Sequence, residues 1–410
     1  MLAYKLMHEG ATLETPLRVA RAQTDALFKL LVPGAIYDRP IPERHRLVFY
    51  LGHLEAFDWN QVGRFRLGLP SFHPEFDKLF ELGIDPPPGQ AAQDQPNDWP
   101  ALAEIEEYNQ RARALLDEAL EHAPPDVIQM VVEHRHMHAE TFAYLLHQMP
   151  HDRKQSPQLS ATPVDSREFS SGSFLDIPAG VATLGQRAGE FGWDNEFDAH
   201  SIYVPAFAMS QYKVTNGEYL EFVKQGAKPP YFWIERGGQW FYRGMFAETS
   251  LPLDHPVWVT QDEASAYARW RGLELPTEAQ FHRAAYGTAK DDERPFPWGT
   301  QAPTAAEGNF DSHAFDPVSV LANPQGDSAF GVSQLVGNGW EWTSTKFAPF
   351  PGFTPAPSYL TYSQNFFDDE HFVIKGGSPR TAAGLLRRSF RNWFRPNYTY
   401  VYAGFHLVAN

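Results

Sequence analysis

The sequence predicts an α+β protein with two unlike parts, a four-helix bundle followed by an irregular, loop-rich α+β domain. Three observations favour this fold class. The chain has 410 residues, more than one hydrophobic core usually organises. Apolar residues recur at helical spacing through residues 1–150. Beyond them, short strand-like pieces lie between Gly, Pro, Asn and Asp turns.

Four helices are predicted in the first part of the chain from apolar residues at three- and four-residue steps. The helical patterns cover residues 13–32, 43–65, 99–123 and 123–149. The last begins at a Pro-Pro pair, which suits a helix N-terminus. Proline-rich loops join the helices, the clearest at residues 85–98. This arrangement predicts an antiparallel bundle over residues 1–150.

A polar stretch rich in Ser and Pro, residues 151–172, reads as a linker. After this stretch, the predicted secondary structure changes. Strand-like pieces occur at residues 200–214 and 371–377. Helical segments are fewer, and they cover residues 215–226, 260–272 and 277–287. Residues 173–410 are therefore predicted to form the second domain.

Composition excludes several classes of function. The net charge of −16 and the pI near 5.4 disfavour a nucleic acid or an anionic membrane as partner, since both would be repelled. The absence of cysteine excludes disulfides, thiolate nucleophiles, iron–sulfur clusters and Cys-ligated zinc. The start of the chain has no signal-peptide pattern, and no apolar run is long enough to span a membrane. We expect a soluble, cytoplasmic protein, and the sequence does not indicate its oligomeric state.

A histidine pattern in the bundle indicates a metal site. His134 and His138 are four residues apart on a predicted helix, so one ion can bind both rings, whereas His136 points elsewhere. His53, on an otherwise apolar helix face, is the candidate third ligand. Imidazoles suit zinc, copper, iron and nickel alike, and no HExxH motif is present. The alternative is a set of structural histidines paired with backbone or carboxylate groups.

The second part carries a series of motifs that resembles the formylglycine-generating-enzyme-type domain. They are FGWDNE (191–196), VTNGEY (214–219), HPVWVT (255–260), LPTEAQFHRAA (275–285), PWG (297–299), GNGWEWT (337–343) and GGS (376–378). Most of these residues are expected to build the fold. Formylglycine-generating enzymes use a cysteine pair, so a chain without cysteine cannot perform their reaction.

Joined to a helical bundle, this domain resembles the ergothioneine synthase (sulfoxide synthase) family, whose bundle is of the DinB-like type. The family pattern, one early histidine and a later HxxxHxE, falls on His53 and on His134, His138 and Glu140. Glu140 lies on the opposite side of its helix from His138. This position favours a structural role, or one in supporting the metal ligands, over binding the metal itself.

The resemblance implies a mononuclear non-haem iron(II) site held by the three histidines. Its open positions would take hercynine (trimethylhistidine), a chalcogen donor and O2, so that a bond forms at the imidazole C2. Hercynine's trimethylammonium group calls for aromatic faces or carboxylates around it. The aromatic candidates are Trp393, Phe394, Tyr398, Tyr400 and Tyr402.

The resemblance also implies a tyrosine proton donor a little over a dozen residues before the GGS motif. Tyr362 precedes Gly376 by fourteen residues, and its phenol is our candidate for this step. The alternative is a loop tyrosine that packs on the domain surface.

Two departures from the common family pattern concern the donor. The motif near the end of the second domain is GFH (404–406) rather than the family's usual GFR or GLR, so His406 replaces an arginine that would help hold a donor carboxylate. Histidine and tyrosines such as Tyr400 and Tyr402 suit a neutral sugar. Residues 36–60 resemble the selenoneine synthase branch, which uses a selenosugar.

We therefore expect a selenoneine synthase with a selenosugar donor. An ergothioneine sulfoxide synthase that uses γ-glutamylcysteine or cysteine is the alternative. A zinc-dependent thiol transferase on a DinB-like bundle and a non-catalytic ligand-displaying module are further alternatives.

Overall fold

The computed structural model describes residues 14–83, 92–157, 172–357, 359–360 and 362–410. These residues form two compact units, one within His8–Ala161 and the other within Thr162–Asn410. Of the predicted linker, residues 158–171 lie outside the described residues. Residues 151–157 are bonded to the helical unit, since the Lys154 ammonium donates to the Leu146 carbonyl (2.7 Å) and the Gln155 amide to the Leu30 carbonyl (2.7 Å).

The first unit is helical, and each of the four predicted helices is present. Its helices are α1 (Glu14–Phe28), α2 (Leu47–Asp58), α3 (Pro74–Leu82), α4 (Leu102–Ala119) and α5 (Pro125–Gln148). A π-helical segment, Trp59–Arg66, continues α2. Short 3-10 turns occur at Ala35–Tyr37, Pro96–Asp98, Leu120–His122 and His151–Arg153.

Helix α3 is an addition to the four predicted helices. It begins after the N-cap residue His73, whose ring accepts a hydrogen bond from the Phe76 amide, and Pro74 fills its first position. It ends at Gly83, whose φ is +75°. At nine residues it is too short to show a clear helical repeat in the sequence.

Helix α2 is the centre of the helical unit. It packs against α3, α4 and α5, while α1 packs against α5. Every residue of α2 except Leu51 is buried. A Cβ at Gly52 would lie 2.4 Å from the Phe80 ring, so the absence of a side chain lets α2 and α3 approach closely. The result is a helix that is held on several sides.

The described residues of the second unit include four small sheets and three α-helices. One sheet has the order β1 (Phe174–Ile177), β4 (Phe207–Ser210), β12 (Val408–Ala409). Another has the order β10 (Asn392–Phe394), β9 (Phe372–Lys375), β8 (Trp340–Lys346), β11 (Ala403–Gly404). The remaining two are β2 (Gly180–Leu184) with β3 (His200–Val204), and β5 (Trp233–Arg236), β6 (Gln239–Arg243), β7 (Glu248–Ser250).

The three helices of this unit share one kind of start. They are α6 (Asn216–Lys224), α7 (Gln261–Trp270) and α8 (Glu278–Tyr286). Each follows a threonine whose hydroxyl accepts from the third helical amide, while the acid or amide side chain there returns a bond to the threonine backbone. Such capping boxes are short-range signals in the sequence, and all three helices lie within the segments predicted to be helical.

The GNGWEWT motif forms the centre of the second unit. Trp340 and Trp342 on β8 are buried, and the Trp342 indole donates to the Val259 carbonyl at 2.8 Å. A Cβ at Gly339, whose φ is +136°, would lie 2.8 Å from the Trp258 indole nitrogen. The motif therefore builds the fold.

The α+β class and the helical first part are confirmed. Within the described part of the chain, none of the helices combines the length and apolar character needed to cross a membrane.

Candidate functional site

His53 on α2 and His134 and His138 on α5 come together inside the helical unit. One potential ligand atom from each lies within 4.8 Å of the others. The ring centroids are 5.1 Å apart for His53 and His134, 4.8 Å for His53 and His138, and 4.4 Å for His134 and His138. His136 is not part of this group. The packing of α2 on α5 thus assembles the three histidines that the sequence selected.

The His53 ring is oriented by the backbone of α3. Its Nδ1 lies 2.6 Å from the Phe80 carbonyl oxygen, which can only accept, so Nδ1 carries the proton and donates. Nε2 therefore keeps its lone pair for a ligand. A hydrogen bond behind a histidine ligand commonly fixes its tautomer and ring orientation in this way. This partner was not predicted, because a backbone carbonyl leaves no mark in the side-chain pattern.

The rings on α5 have buried nitrogens without hydrogen-bond partners. Both nitrogens of His134 and Nδ1 of His138 are in this condition. Leaving buried polar atoms unpaired is costly, so such atoms call for a water or an ion. Phe57 stacks on the His134 ring at 3.4 Å between centroids and 10° between planes. The donor set of three imidazoles fits a first-row metal ion.

The charge state of the histidines also suits a metal. Burial lowers the pKa of His53 to about 4. Burial, and then the neighbouring histidines, hold the pKa values of His134 and His138 well below the ordinary value of 6.5. At neutral pH the rings are uncharged, and a neutral imidazole is the form that binds a metal.

A group of charges lies beside the histidines, with Glu55, Asp58 and Arg135 buried and two further members half-buried, and we name it the Arg135 cluster. It comprises Asp25, Glu55, Asp58, Arg113 and Arg135. Arg135 Nε lies 2.5 Å from Asp58 Oδ2, and its Nη2 lies 2.7 Å from Glu55 Oε2. Arg113 bonds Glu55 at 2.6 Å and Asp25 at 2.7 Å. This cluster was not predicted from the sequence, although two acids three residues apart in an apolar helix are a signal for it.

Glu140, the last member of the HxxxHxE pattern, is buried and is not part of the histidine group. Its carboxylate accepts a hydrogen bond from the Tyr144 hydroxyl, one turn further along α5. This contact favours a structural role for Glu140.

In the second unit, Tyr362 lies among aromatic rings from separate segments. It stacks on Trp193 of the FGWDNE motif at 4.3 Å and 25°. It meets Trp393 of β10 edge-on at 5.5 Å, and Phe347 stacks on Trp393 at 4.2 Å. The Asp194 carboxylate accepts from the Ser363 hydroxyl. FGWDNE therefore holds the Tyr362 loop, a role that the sequence did not reveal.

Phe394, Tyr398 and Tyr400 are half-buried and form a row of rings with the exposed Tyr231. Phe394 and Tyr398 stack at 4.9 Å and 17°. Tyr400 meets Tyr398 at 5.3 Å and Tyr231 at 5.4 Å, both nearly perpendicular. With Trp393, these rings stay the candidates for contact with a cationic substrate.

Tyr402 and His406 occupy different surroundings, because both are fully buried. Tyr402 stacks on Trp258 at 4.5 Å. His406 Nδ1 donates to Glu341 Oε1 at 2.9 Å, and the His406 amide donates to Glu341 Oε2 at 3.0 Å. Glu341 is also ion-paired with the buried Lys213. These contacts are those of core residues, so the geometry favours a bracing role for both over the expected contact with substrate.

Comparison with known proteins agrees with the motifs. Residues 160–410 match the sulfatase-modifying factor enzyme 1-like domain family. The chain is 36% identical to a hercynine oxygenase of Mycolicibacterium smegmatis, over 73% of this chain and 75% of that protein. A hercynine oxygenase of Mycobacterium tuberculosis is 35% identical over 75% of this chain and 77% of its own length.

A further relative, ergothioneine biosynthesis protein 1 of Schizosaccharomyces pombe, is 27% identical over 93% of this chain and 54% of that protein. The match therefore covers the helical unit as well as the second unit. Both the domain family and these relatives agree with the resemblance predicted from the motifs. The chain belongs to the ergothioneine synthase family, and it is an enzyme of that family.

Proposed function

We propose that this enzyme is a non-haem iron(II), O2-dependent synthase that forms a C–Se or C–S bond at the imidazole C2 of hercynine, with a selenosugar as its preferred donor. One observation carries the proposal. A chain similar to hercynine oxygenases has a group of three histidines, two of them buried, in which ring nitrogens of His134 and His138 are buried and unpartnered.

His53, His134 and His138 would hold the iron. Their neutral rings and the absence of a carboxylate from the group make an all-imidazole ligand set. Three protein ligands leave other positions of the ion for substrates. When bound, the iron would supply a site at which O2 and both organic substrates are held and activated together.

The protein around this site would keep the ligands in place and exclude water. The Phe80 carbonyl holds the His53 ring, and the Phe57 ring covers a face of His134. Phe49 stacks on His53 at 4.8 Å. A site walled by aromatic rings is of low polarity, which strengthens electrostatic interactions inside it.

Trp393, Phe394, Tyr398 and Tyr400 are our candidates for binding the trimethylammonium group of hercynine. A quaternary ammonium cannot donate a hydrogen bond, so ring faces attract it through their quadrupoles. The half-buried positions of the four rings support this role.

Tyr362 is our candidate proton donor. Its phenol would give a proton to an oxygen atom of the reacting species and would be reprotonated in a later step. The stack with Trp193 and the edge contact with Trp393 support the role, because they fix the ring.

The selenosugar preference rests on the resemblance of residues 36–60 to the selenoneine branch. Within that segment, Arg39 and Arg46 both bind the Asp94 carboxylate. These two charged residues therefore have a structural role that does not depend on the donor. Because His406 is buried, it no longer supports the proposal of a sugar donor. The alternative, an ergothioneine sulfoxide synthase with γ-glutamylcysteine or cysteine as donor, differs only in that substrate.

A second candidate is a zinc-dependent thiol transferase on a bundle of the DinB-like type. The observation in its favour is the ligand set, since three protein ligands and an open position also describe catalytic zinc. It would need no O2, and this difference separates the two candidates.

The test is a reconstitution under anaerobic conditions with iron(II) or zinc(II), followed by hercynine and O2. A selenosugar, γ-glutamylcysteine and cysteine are offered in parallel, and product mass and O2 uptake are measured. We expect product with iron and O2 and none with zinc. We also expect kcat/KM for the selenosugar to exceed that for γ-glutamylcysteine at least about tenfold, or about 1.4 kcal/mol.

Product formed with zinc in the absence of O2 would establish the transferase instead. A tenfold advantage for the thiol peptide would make the chain an ergothioneine synthase and end the selenium proposal.

A further inference from the structure

Arg135 is a fully buried arginine placed between the candidate metal ligands of α5. It directly follows His134 and precedes His138 by three residues. Its hydrogen bonds reach α2 at the Leu54 carbonyl (3.2 Å), the Glu55 carboxylate (2.7 Å) and the Asp58 carboxylate (2.5 Å). These residues follow His53 by one, two and five positions. Arg135 therefore joins the ligand-bearing part of α5 to the ligand-bearing part of α2.

A buried ion cluster is an expensive way to hold two helices together. Removing a guanidinium and two carboxylates from water costs several kcal/mol per ion, and the attraction between them often only compensates for it. Apolar side chains of similar volume commonly stabilise a core as well or better. Stability alone is thus a weak explanation for Arg135, and the alternative is that it selects one arrangement of the helices.

The geometry of the cluster is suited to that purpose. A slip of one residue along an α-helix moves a side chain by about 1.5 Å and turns it by about 100°. A metal site tolerates displacements of only about 0.5 Å in its ligands. Apolar contacts between α2 and α5 would permit small slips. The planar guanidinium fork, bonded to two acids one turn apart on α2, resists both sliding and rotation.

We propose that Arg135 is a positioning residue that fixes the register of α5 against α2 and thereby sets the separation of His53 from His134 and His138. The inference rests on the proposed metal site at these histidines. It assigns Arg135 and its partners Glu55 and Asp58 a role in metal binding without any contact between Arg135 and the ion.

The chain offers a matched control in Arg113. This residue also bonds the Glu55 carboxylate, and it bonds Asp25 on α1. It lies on α4, which carries none of the three histidines. Loss of either arginine should lower stability, whereas loss of Arg135 alone should disturb the metal site.

The experiment uses the metal-free 410-residue chain titrated with cobalt(II), whose visible absorption reports ligand geometry. Arg135→Lys keeps the charge and removes the fork. The second variant, Glu55→Gln/Asp58→Asn/Arg135→Met, replaces the three ions with uncharged side chains of similar size, so it keeps the test open if the first fails to fold. Helix content and thermal melting identify the folded variants.

We expect the folded Arg135 variants to bind cobalt(II) roughly tenfold more weakly or worse, with an altered absorption spectrum. Arg113→Met should melt at a lower temperature and keep the wild-type affinity and spectrum. Wild-type affinity and spectrum in a folded Arg135 variant would overturn the positioning role alone. If the wild-type chain binds no cobalt(II), or binds it equally well after His53→Ala, the three-histidine site fails and the role of Arg135 fails with it.

Discussion

In the helical unit, the three candidate ligands lie on α2 and α5, helices of 12 and 24 residues, whereas in the second unit Tyr362 lies on a loop and Trp393 on a three-residue strand. Helices repeat their geometry, so two histidines four residues apart are already aligned. A loop has no such repeat. The position of Tyr362 therefore depends on contacts with residues distant in sequence, Trp193 above all.

The two regions also use buried charge differently. The Arg135 cluster connects whole helices to one another. In the second unit, Glu196 pairs with Arg387 and Glu278 with Arg391, which ties the segment before β10 to the 194–196 turn and to α8. The difference teaches that regular elements need few fixed points to present a site, while irregular ones need many.

The largest effect on activity is expected at His134, one of the candidate ligands on α5. His134→Ala should lower iron affinity by more than about 100-fold, beyond the usual effect of residues behind a ligand. Product formation should disappear with the metal while helix content is retained, because α2 and α5 keep their other contacts. Iron content by elemental analysis and circular dichroism measure both.

His136→Ala is the control, since His136 lies on the same helix outside the histidine group and should keep its iron. Stoichiometric iron in the His134 variant would refute the ligand assignment.

The next largest effect is expected at the loop. Tyr362→Phe should slow product formation on the order of 100-fold and change the product distribution, because the proton donor is lost while the ring contacts remain. Tyr359→Phe is the matched control, with its ring 5.6 Å from that of Tyr362. An unchanged rate and distribution in the Tyr362 variant, measured by mass spectrometry, would leave it a packing residue.

A smaller effect is expected from the charges that hold the second unit. Burial opposes ionisation of Glu196, but the Arg387 guanidinium and the Ser389 hydroxyl outweigh it and lower the pKa of the carboxyl. A depressed carboxyl pKa stabilises the folded state above the ordinary value of 4.5, and this contribution is lost as the pH falls below it. Glu196→Gln should therefore cost about 2 kcal/mol of unfolding free energy near neutral pH.

Below pH 4.5 the wild-type advantage should shrink, and urea unfolding at several pH values checks this. A difference that stays constant with pH would show that the ionised carboxylate is not what stabilises the unit.

The smallest effect is expected at His406. Because its ring is enclosed and bonded to Glu341, His406→Gln should lower the free energy of unfolding by roughly 1 kcal/mol and leave the ratio of kcat/KM between donors unchanged. A tenfold change in that ratio would instead indicate that His406 contributes to donor binding.

Much of the helical unit was predictable, and for a definite reason. The spacing of His134 and His138 and the apolar face around His53 are local signals, and each predicted helix is present. The two acids of α2 signal a buried cation, but they do not identify Arg135, because arginine is rarely buried and these partners lie on another helix. The Phe80 carbonyl was hidden for a similar reason, since hydrogen bonding by the backbone is independent of residue type.

The second unit was predictable where short-range chemistry acts. The three predicted helical segments contain α6, α7 and α8, each with a threonine capping box at its start, and residues 200–214 contain β3 and β4. Strands such as β10 and β11, of three and two residues, have no periodicity to read. The burial of Tyr402 and His406 depends on long-range packing that their neighbours in sequence do not encode.

The Lys213–Glu341–His406 group has a consequence for how this family can evolve. Burial keeps the pKa of His406 well below its ordinary value, so a neutral ring shares Glu341 with the single cation of Lys213. An arginine at position 406 would place a second cation against the same buried carboxylate. We therefore expect family members with arginine at position 406 to lack a cation at position 213.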